Sequence, residues 1–220
     1  MHWNWFNQFG MPCDMNRGYK SKKNEIEKKF ILFFFSLLFS LSACTSDKLA
    51  LEPVTYGQFE SFVNETGYIT DAEKYGWSIV QRDVFTFDRV DKANWKFPDG
   101  VNAPMSQDLP ITQVSYNDAL AYCKWSGKQI PSYDQYWELV KEDNRKVVSN
   151  NNAPISSVSE VNVLGNVWDI VAPENNDSIR LAGGSLYCSP NTCHGTVKER
   201  ELYVDKETSN IHIGFCVISD

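Results

Sequence analysis

The sequence predicts one domain in which a few well-capped helices are set among short strands and much loop. Three observations predict it. Three segments open on helix-capping residues and run for about three turns or fewer. Residues 77–114 mix short apolar runs with Pro98, Gly100, Pro104 and Pro110, and read as loops and short strands. Residues 143–160 are rich in Asn and Ser and read as a mobile loop. The chain has 220 residues with seven Trp, ten Tyr and thirteen Phe, enough for one domain with a sizeable aromatic core.

The first 43 residues are not part of that domain. Arg17, Lys20, Lys22, Lys23, Lys28 and Lys29 form a basic region, and Phe30 to Ala43 is an unbroken run of apolar and small residues. The run is too short for a comfortable membrane span and matches a signal-peptide core. Residues before about Met15 read as an over-extended start. The run ends in Leu41-Ser42-Ala43-Cys44, which resembles the lipobox of bacterial lipoproteins. That resemblance implies cleavage before Cys44 and lipid on its thiol. The alternative is an ordinary signal peptide with Cys44 incidental. Residues 44–52 are then a lipidated tether and 53–220 the domain.

Residues 1–43 hold six of the 21 Lys+Arg and three of the 28 Asp+Glu. The remainder carries 15 basic and 25 acidic residues, a net −10. Such a balance argues against nucleic acid as a partner, which demands basic patches. Two histidines remain, His194 and His212, too few for metal sites built on two- or three-histidine triads.

Thr55 is placed as an N-cap. Tyr56, Phe59, Phe62 and Val63 recur at helical spacing up to Glu65, and Gly67 stops the helix. Ser115-Tyr116-Asn117-Asp118 is a capping box, followed by Ala119, Leu120, Tyr122, Cys123 and Trp125, with Gly127 suited to the C′ position. Ser132-Tyr133-Asp134-Gln135 opens a third helix to about Lys141.

The chemistry-bearing stretch is Arg180 to Cys193. Gly183 and Gly184 allow a positive φ or a close approach, and Pro190-Asn191 favours a turn that folds Cys188 and Cys193 towards each other. Two facing thiols can form a disulfide, hold a soft ion such as Cu(I), or act as a redox pair. A lone pair is a poor zinc site, since structural zinc takes four ligands.

Several segments, in order, closely resemble the formylglycine-generating enzyme (sulfatase-modifying factor) family. They are Gly67-Tyr68-Ile69-Thr70-Asp71-Ala72-Glu73-Lys74-Tyr75-Gly76-Trp77, Ala93-Asn94-Trp95-Lys96-Phe97-Pro98-Asp99-Gly100, and Val114-Ser115-Tyr116-Asn117-Asp118-Ala119 with Ala121-Tyr122-Cys123-Lys124-Trp125. Gly165-Asn166-Val167-Trp168-Asp169 resembles the family's Gly-Asn-Val-Trp-Glu signature. Gly183-Gly184-Ser185 with Cys188 and Cys193 resembles its active-site stretch, and Ile213-Gly214-Phe215 its C-terminal strand.

The resemblance implies an α+β fold, a C-type-lectin-like variant with little regular secondary structure. It implies an O2-dependent oxidase that converts a cysteine of a Cys-x-Pro-x-Arg segment in sulfatases to Cα-formylglycine. Cys188 and Cys193 would hold Cu(I), with Ser185 beside them. A Ca2+ ion would lie among Asn162, Gly165, Val167 and Asp169, where Asp169 is one methylene shorter than the family's Glu. Cys123 would bridge to Cys216, although Cys216 falls one residue early, and a one-residue shift turns a strand side chain to the other face. The family's late Arg falls on Glu201, and its Asn-Leu-Gly-Phe-Arg ending becomes His212-Ile213-Gly214-Phe215-Cys216. These departures touch the substrate groove rather than the cysteine pair.

Two functions are expected. The first is a monomeric copper-dependent oxidase, lipid-anchored in the bacterial cell envelope and facing the periplasm, acting on a protein or peptide cysteine. The second is a non-catalytic envelope lipoprotein that uses the same fold for binding or structure.

Overall fold

Each predicted cap is where a helix begins. In the computed structural model, which describes residues 49–150, 153–174, 178–188 and 195–219, helix α1 spans Tyr56–Thr66. The Thr55 hydroxyl accepts from the Gln58 N–H at 3.2 Å, and Gln58 returns the bond to the Thr55 N–H at 2.9 Å. Gly67 closes the helix at φ 67°, its N–H bonded to the Val63 carbonyl at 2.8 Å. A five-residue helix, α2, spans Asp71–Tyr75 behind a second capping box of Thr70 and Glu73. Helices α3 (Tyr116–Ser126) and α4 (Tyr133–Val140) follow Ser115 and Ser132. The leader, with Lys48 and Cys44, lies outside the described residues. Among the described residues no helix is long and apolar enough to cross a membrane.

Strands β1 (Glu52–Pro53), β4 (Trp168–Ile170), β5 (Ile179–Ala182), β6 (Leu202–Val204) and β7 (Ile213–Val217) form a five-stranded sheet in the order β1-β7-β4-β5-β6. Strands β7 and β4 pair in parallel and the other neighbours antiparallel. Strands β2 (Trp77–Gln81) and β3 (Phe87–Asp91) form a separate antiparallel hairpin. The architecture is a mixed α+β fold with few helices.

The sheet is buried on both faces. On one lie Phe59, Phe62, Trp95 and Tyr122 from α1, α3 and the loop between β3 and α3, packed on Ile170, Leu181 and Phe215. The rings interlock: Phe59 lies 5.5 Å from Trp95 and 6.0 Å from Tyr122, and Tyr122 meets Phe215 at 5.5 Å. Such pairs add about 0.5–1.5 kcal/mol each beyond area burial. On the other face Tyr136 and Trp137 of α4 pack with Val163, Val171, Ala182 and Cys216.

This two-faced sheet overturns the expected Cys123–Cys216 bridge. Both thiols are free and buried. Phe215 and Val217 share the first cluster with Cys123, whereas Cys216, between them on β7, points to the second. The period-two alternation of a strand puts the two sulfurs on opposite sides of the sheet. Instead, the Cys216 thiol donates to Asp169 Oδ1 at 3.2 Å.

Candidate functional site

Strand β5 delivers the Gly183-Gly184-Ser185 turn. Both glycines take positive φ, 84° and 75°, which a side chain would strain. A Cβ on Gly184 would also come within 2.8 Å of the Gly195 backbone and 3.1 Å of the Cys188 Cβ, so the glycine lets two chain segments meet around Cys188. The Cys188 N–H donates to the Ser185 carbonyl at 2.9 Å, and the Ser185 hydroxyl accepts from the Tyr187 N–H at 3.3 Å. That turn brings the buried Ser185 hydroxyl to 4.0 Å from the Cys188 sulfur. Cys188 is buried and disulfide-bonded. Cys193, the Pro190-Asn191 turn and His194 lie outside the described residues.

Cys188 stands in the wall of a cavity of about 290 Å³. Trp168 and Leu181 of the sheet form its floor, Ile79, Val84 and Phe87 of the hairpin one side, and Leu202 and Val204 of β6 the other. The hairpin side is held by a buried polar knot. Gln113, at φ 59°, donates to the Ile79 and Pro98 carbonyls at 3.0 and 2.6 Å and accepts from the Ser78 hydroxyl at 2.5 Å. Tyr187, also in the wall, meets His212 with ring centroids 4.6 Å apart and planes tilted by 55°, and donates to the Arg82 carbonyl at 3.0 Å. Burial pushes the His212 imidazole down to about 4, so it is neutral at pH 7. Its Nδ1 has no hydrogen-bond partner among the described residues.

Glu201, the position where the resemblance expects an arginine, is exposed and makes an ion pair within the chain. It accepts from Arg180 at 3.0 Å, and the Arg180 guanidinium lies 3.3 Å over the Tyr133 ring. Arg180 is thereby drawn to the outer edge of the sheet, against α4.

Three of the four expected calcium positions meet. Asn162, Val167 and Asp169 border one cavity of about 20 Å³, room for one water-sized sphere, which Cys216 also lines. Gly165 does not border it. It sits at φ 92° with its N–H bonded to the Gly183 carbonyl at 2.8 Å, where a Cβ would strike the Val148 backbone. Asn162 accepts from the Leu164 N–H at 2.8 Å and donates to the Asp143 carbonyl at 2.6 Å. Asp169 accepts from the Tyr136 hydroxyl at 2.9 Å and from Cys216. Burial raises its carboxyl to about 7, these two donors offsetting part of the rise. No cluster of three or more His, Cys, Asp or Glu assembles among the described residues.

The sequence pointed to Ser185, Cys188 and Asp169, and the structure makes each a wall residue of a cavity. It gave no sign of Val84, Phe87, Gln113, Tyr187 or Arg200. They lie apart between positions 84 and 200, and only the tertiary fold brings them together around this cavity.

Residues 48–150 match the sulfatase-modifying factor enzyme 1-like domain. The formylglycine-generating enzyme of Bos taurus is 37% identical over 103 residues, 39% of this chain and 27% of that protein. The inactive Cα-formylglycine-generating enzyme 2 of Mus musculus is 36% identical over 104 residues, 40% of this chain and 33% of that one. The matched stretch therefore spans about a third or less of these relatives. The fold is similar to that of PvdO from Pseudomonas aeruginosa, with TM-score 0.54 and 14% identity over 76% of this chain and 77% of that chain. Over residues 48–150, a little under half of its length, the chain is similar to the sulfatase-modifying factor enzyme 1-like domain.

Proposed function

We propose that this protein is a copper-dependent oxidase of the formylglycine-generating type, acting on a cysteine in a protein or peptide client. The observation that carries the reading is Cys188, buried in the wall of a cavity with the Ser185 hydroxyl 4.0 Å from its sulfur. Cys188 and Cys193 would hold Cu(I), whose part is the reduction chemistry of O2; thiolates are the soft donors that ion favours. Since Cys188 is disulfide-bonded in this structure, two electrons and two protons must first be supplied by an external thiol. The overall conversion then balances: a client CH2–SH, O2, two protons and two electrons give a client aldehyde, H2S and water. The chain's own part is to seat the client, keep bulk water from the apolar floor, and present the Ser185 hydroxyl to a polar group beside Cys188.

A Ca2+ ion at Asn162, Val167 and Asp169 would replace the Asp169 proton. An all-oxygen set with one carboxylate suits a hard cation, and the one-sphere cavity has room for it. The lectin-like variant of the fold and the envelope lipoprotein, anchored through Cys44 on the periplasmic side, are the accompanying assignments.

The second reading is a non-catalytic binding lipoprotein. The disulfide at Cys188 favours it, as does the existence of a relative named inactive. To decide, the soluble domain from residue 45 is reduced, loaded with Cu(I), and mixed with a Cys-x-Pro-x-Arg peptide, a reductant and air. Mass spectrometry reads conversion of the cysteine to an aldehyde. Conversion that is lost in both Cys188→Ser and Cys193→Ser establishes the oxidase. Copper affinity unchanged by either substitution removes the site.

A further inference from the structure

The cavity beside Cys188 has an unbalanced lining. Arg200 is its one charged residue among those described, and no Asp or Glu borders it. Arg200 is itself exposed and has no ion-pair partner among the described residues. The rest is chiefly Ile79, Val84, Phe87, Trp168, Leu202 and Val204. The apolar character continues outward along the hairpin, where Phe87 is 56% and Phe85 85% exposed. Adjacent exposed aromatics at the mouth of an apolar cavity mark a contact surface.

We propose that this cavity is the subsite for an apolar side chain, aromatic or branched aliphatic, next to the reacting residue of a peptide client, and that it rejects basic side chains. The inference rests on the peptide-client reading above. A cationic side chain entering here would lose its hydration, find no carboxylate, and meet the like charge of Arg200. A phenyl or isobutyl group meets mainly Ile79, Val84, Phe87, Leu202 and Val204, surfaces that gain from leaving water, with Gln81, Ser185, Thr208 and Asn210 as uncharged polar neighbours. The cavity's volume is near the lower end of the range for ligand pockets, which suits one such side chain rather than a bulky cofactor. The arginine of a Cys-x-Pro-x-Arg segment therefore has no place in this cavity.

The test uses the full chain in detergent, reduced and copper-free. The probes are short Gly/Ala peptides with serine in place of the reacting cysteine. Either Phe or Lys is placed at each of the two positions on either side of that serine, and affinities are read by fluorescence competition. At one of these positions the Phe peptide is expected to bind about tenfold or more tighter than the Lys peptide. Val84→Asp puts a carboxylate into the wall from the half-buried turn of the hairpin, and is expected to bring the two affinities together or reverse them. Leu202→Trp fills the cavity and is expected to weaken the Phe peptide while leaving the Lys peptide unchanged. Equal affinities at every position, no binding by any peptide, or a Phe preference indifferent to both substitutions overturns the proposal. A Phe preference that answers to both substitutions, with no aldehyde formed from the matching cysteine peptides, keeps the subsite and removes the oxidase.

Discussion

Asp118 and Asp169 are both fully buried carboxylates, one in each half of the domain, and they are held by different means. Asp118 sits at N3 of α3. It accepts from the backbone N–H groups of Ser115 at 2.9 Å and Asp71 at 3.1 Å, and from the Tyr68 hydroxyl at 3.1 Å. Burial raises it only to about 6, because backbone donors of the capping box favour the ionised form. Asp169, on β4, has a tyrosine hydroxyl and a thiol, and burial raises it to about 7. A carboxylate tied into helix caps is a structural joint; beside it Asp71, despite burial, is held below the usual range by Lys74, Asn117 and Ser115. A carboxyl served only by two side-chain donors is held less firmly in its ionised form.

The largest effect that separates them is pH dependence. Each carboxyl binds its proton more tightly when folded than at the unfolded value near 3.9. The unfolded chain therefore holds fewer protons between that value and the folded one, and stability falls as pH rises. The Asp118 contribution is fully present below pH about 4 and lost by about 6; that of Asp169 is lost by about 7. The upper bounds are on the order of 3 and 4 kcal/mol. Urea unfolding from pH 4 to pH 8 should show stability falling through both windows. Asp169→Asn should flatten the curve between 6 and 7, and Asp118→Asn only below 6. Millimolar Ca2+ that stabilises wild type at pH 8 but not Asp169→Asn would assign the ion to this cavity; no stabilisation of either protein would remove the ion from it.

Tyr136→Phe is the next test. It removes the hydroxyl that donates to Asp169 at 2.9 Å and leaves a buried acceptor short of a partner, at about 1–3 kcal/mol. Because the hydroxyl favours the ionised carboxyl, the loss should be larger at pH 8 than at pH 5. A loss equal at the two pH values would mean that the hydroxyl acts through packing alone.

The same contrast explains what was legible in the sequence. Thr55, Ser115 and Ser132 announce their helices because a capping box is local, written within four residues. Thr70-Asp71-Ala72-Glu73 is the same signal, but the helix it opens is five residues long and shows no apolar period to support it. The sheet was opaque. With both faces buried, β7 reads Ile-Gly-Phe-Cys-Val without alternation, so nothing in its pattern says which face Cys216 takes. Asp169 was found through the resemblance, but its partners Tyr136 and Cys216 lie 33 and 47 residues away, and no spacing encodes them. The cavity beside Cys188 is legible only at its sheet end; its hairpin wall depends on a tertiary knot around Gln113.

A smaller change separates a cap from its surroundings. Ser115→Ala removes the hydroxyl that accepts from the Asp118 N–H and donates to Asp71 Oδ2 at 2.7 Å. Loss of an N-cap costs about 0.5–2 kcal/mol. The upper part of that range is expected here, since Asp71 also loses a donor that holds it ionised. Denaturant unfolding should show a lower midpoint with an unchanged slope.

The smallest effect belongs to Glu138→Gln, and its smallness is informative. Glu138 and Lys141 lie three apart at the end of α4, 2.8 Å from contact atom to contact atom, with side chains 68% and 64% exposed. Lys141 draws the Glu138 carboxyl below its usual range. Water and salt screen such a pair, and fixing two long side chains costs entropy, so an exposed pair of this kind contributes little to stability. The unfolding midpoint of Glu138→Gln should stay within error of wild type in 0.5 M salt, at an ionic strength where the Debye length is only about 4 Å. Helix α4 is held to the sheet by Tyr136 and Trp137, one of which also reaches Asp169. If removing an exposed charge unsettled the helix as much as removing the Tyr136 hydroxyl, the buried side of α4 would not be what anchors Asp169, and the contrast between the two carboxylates would have to be sought in the sheet alone.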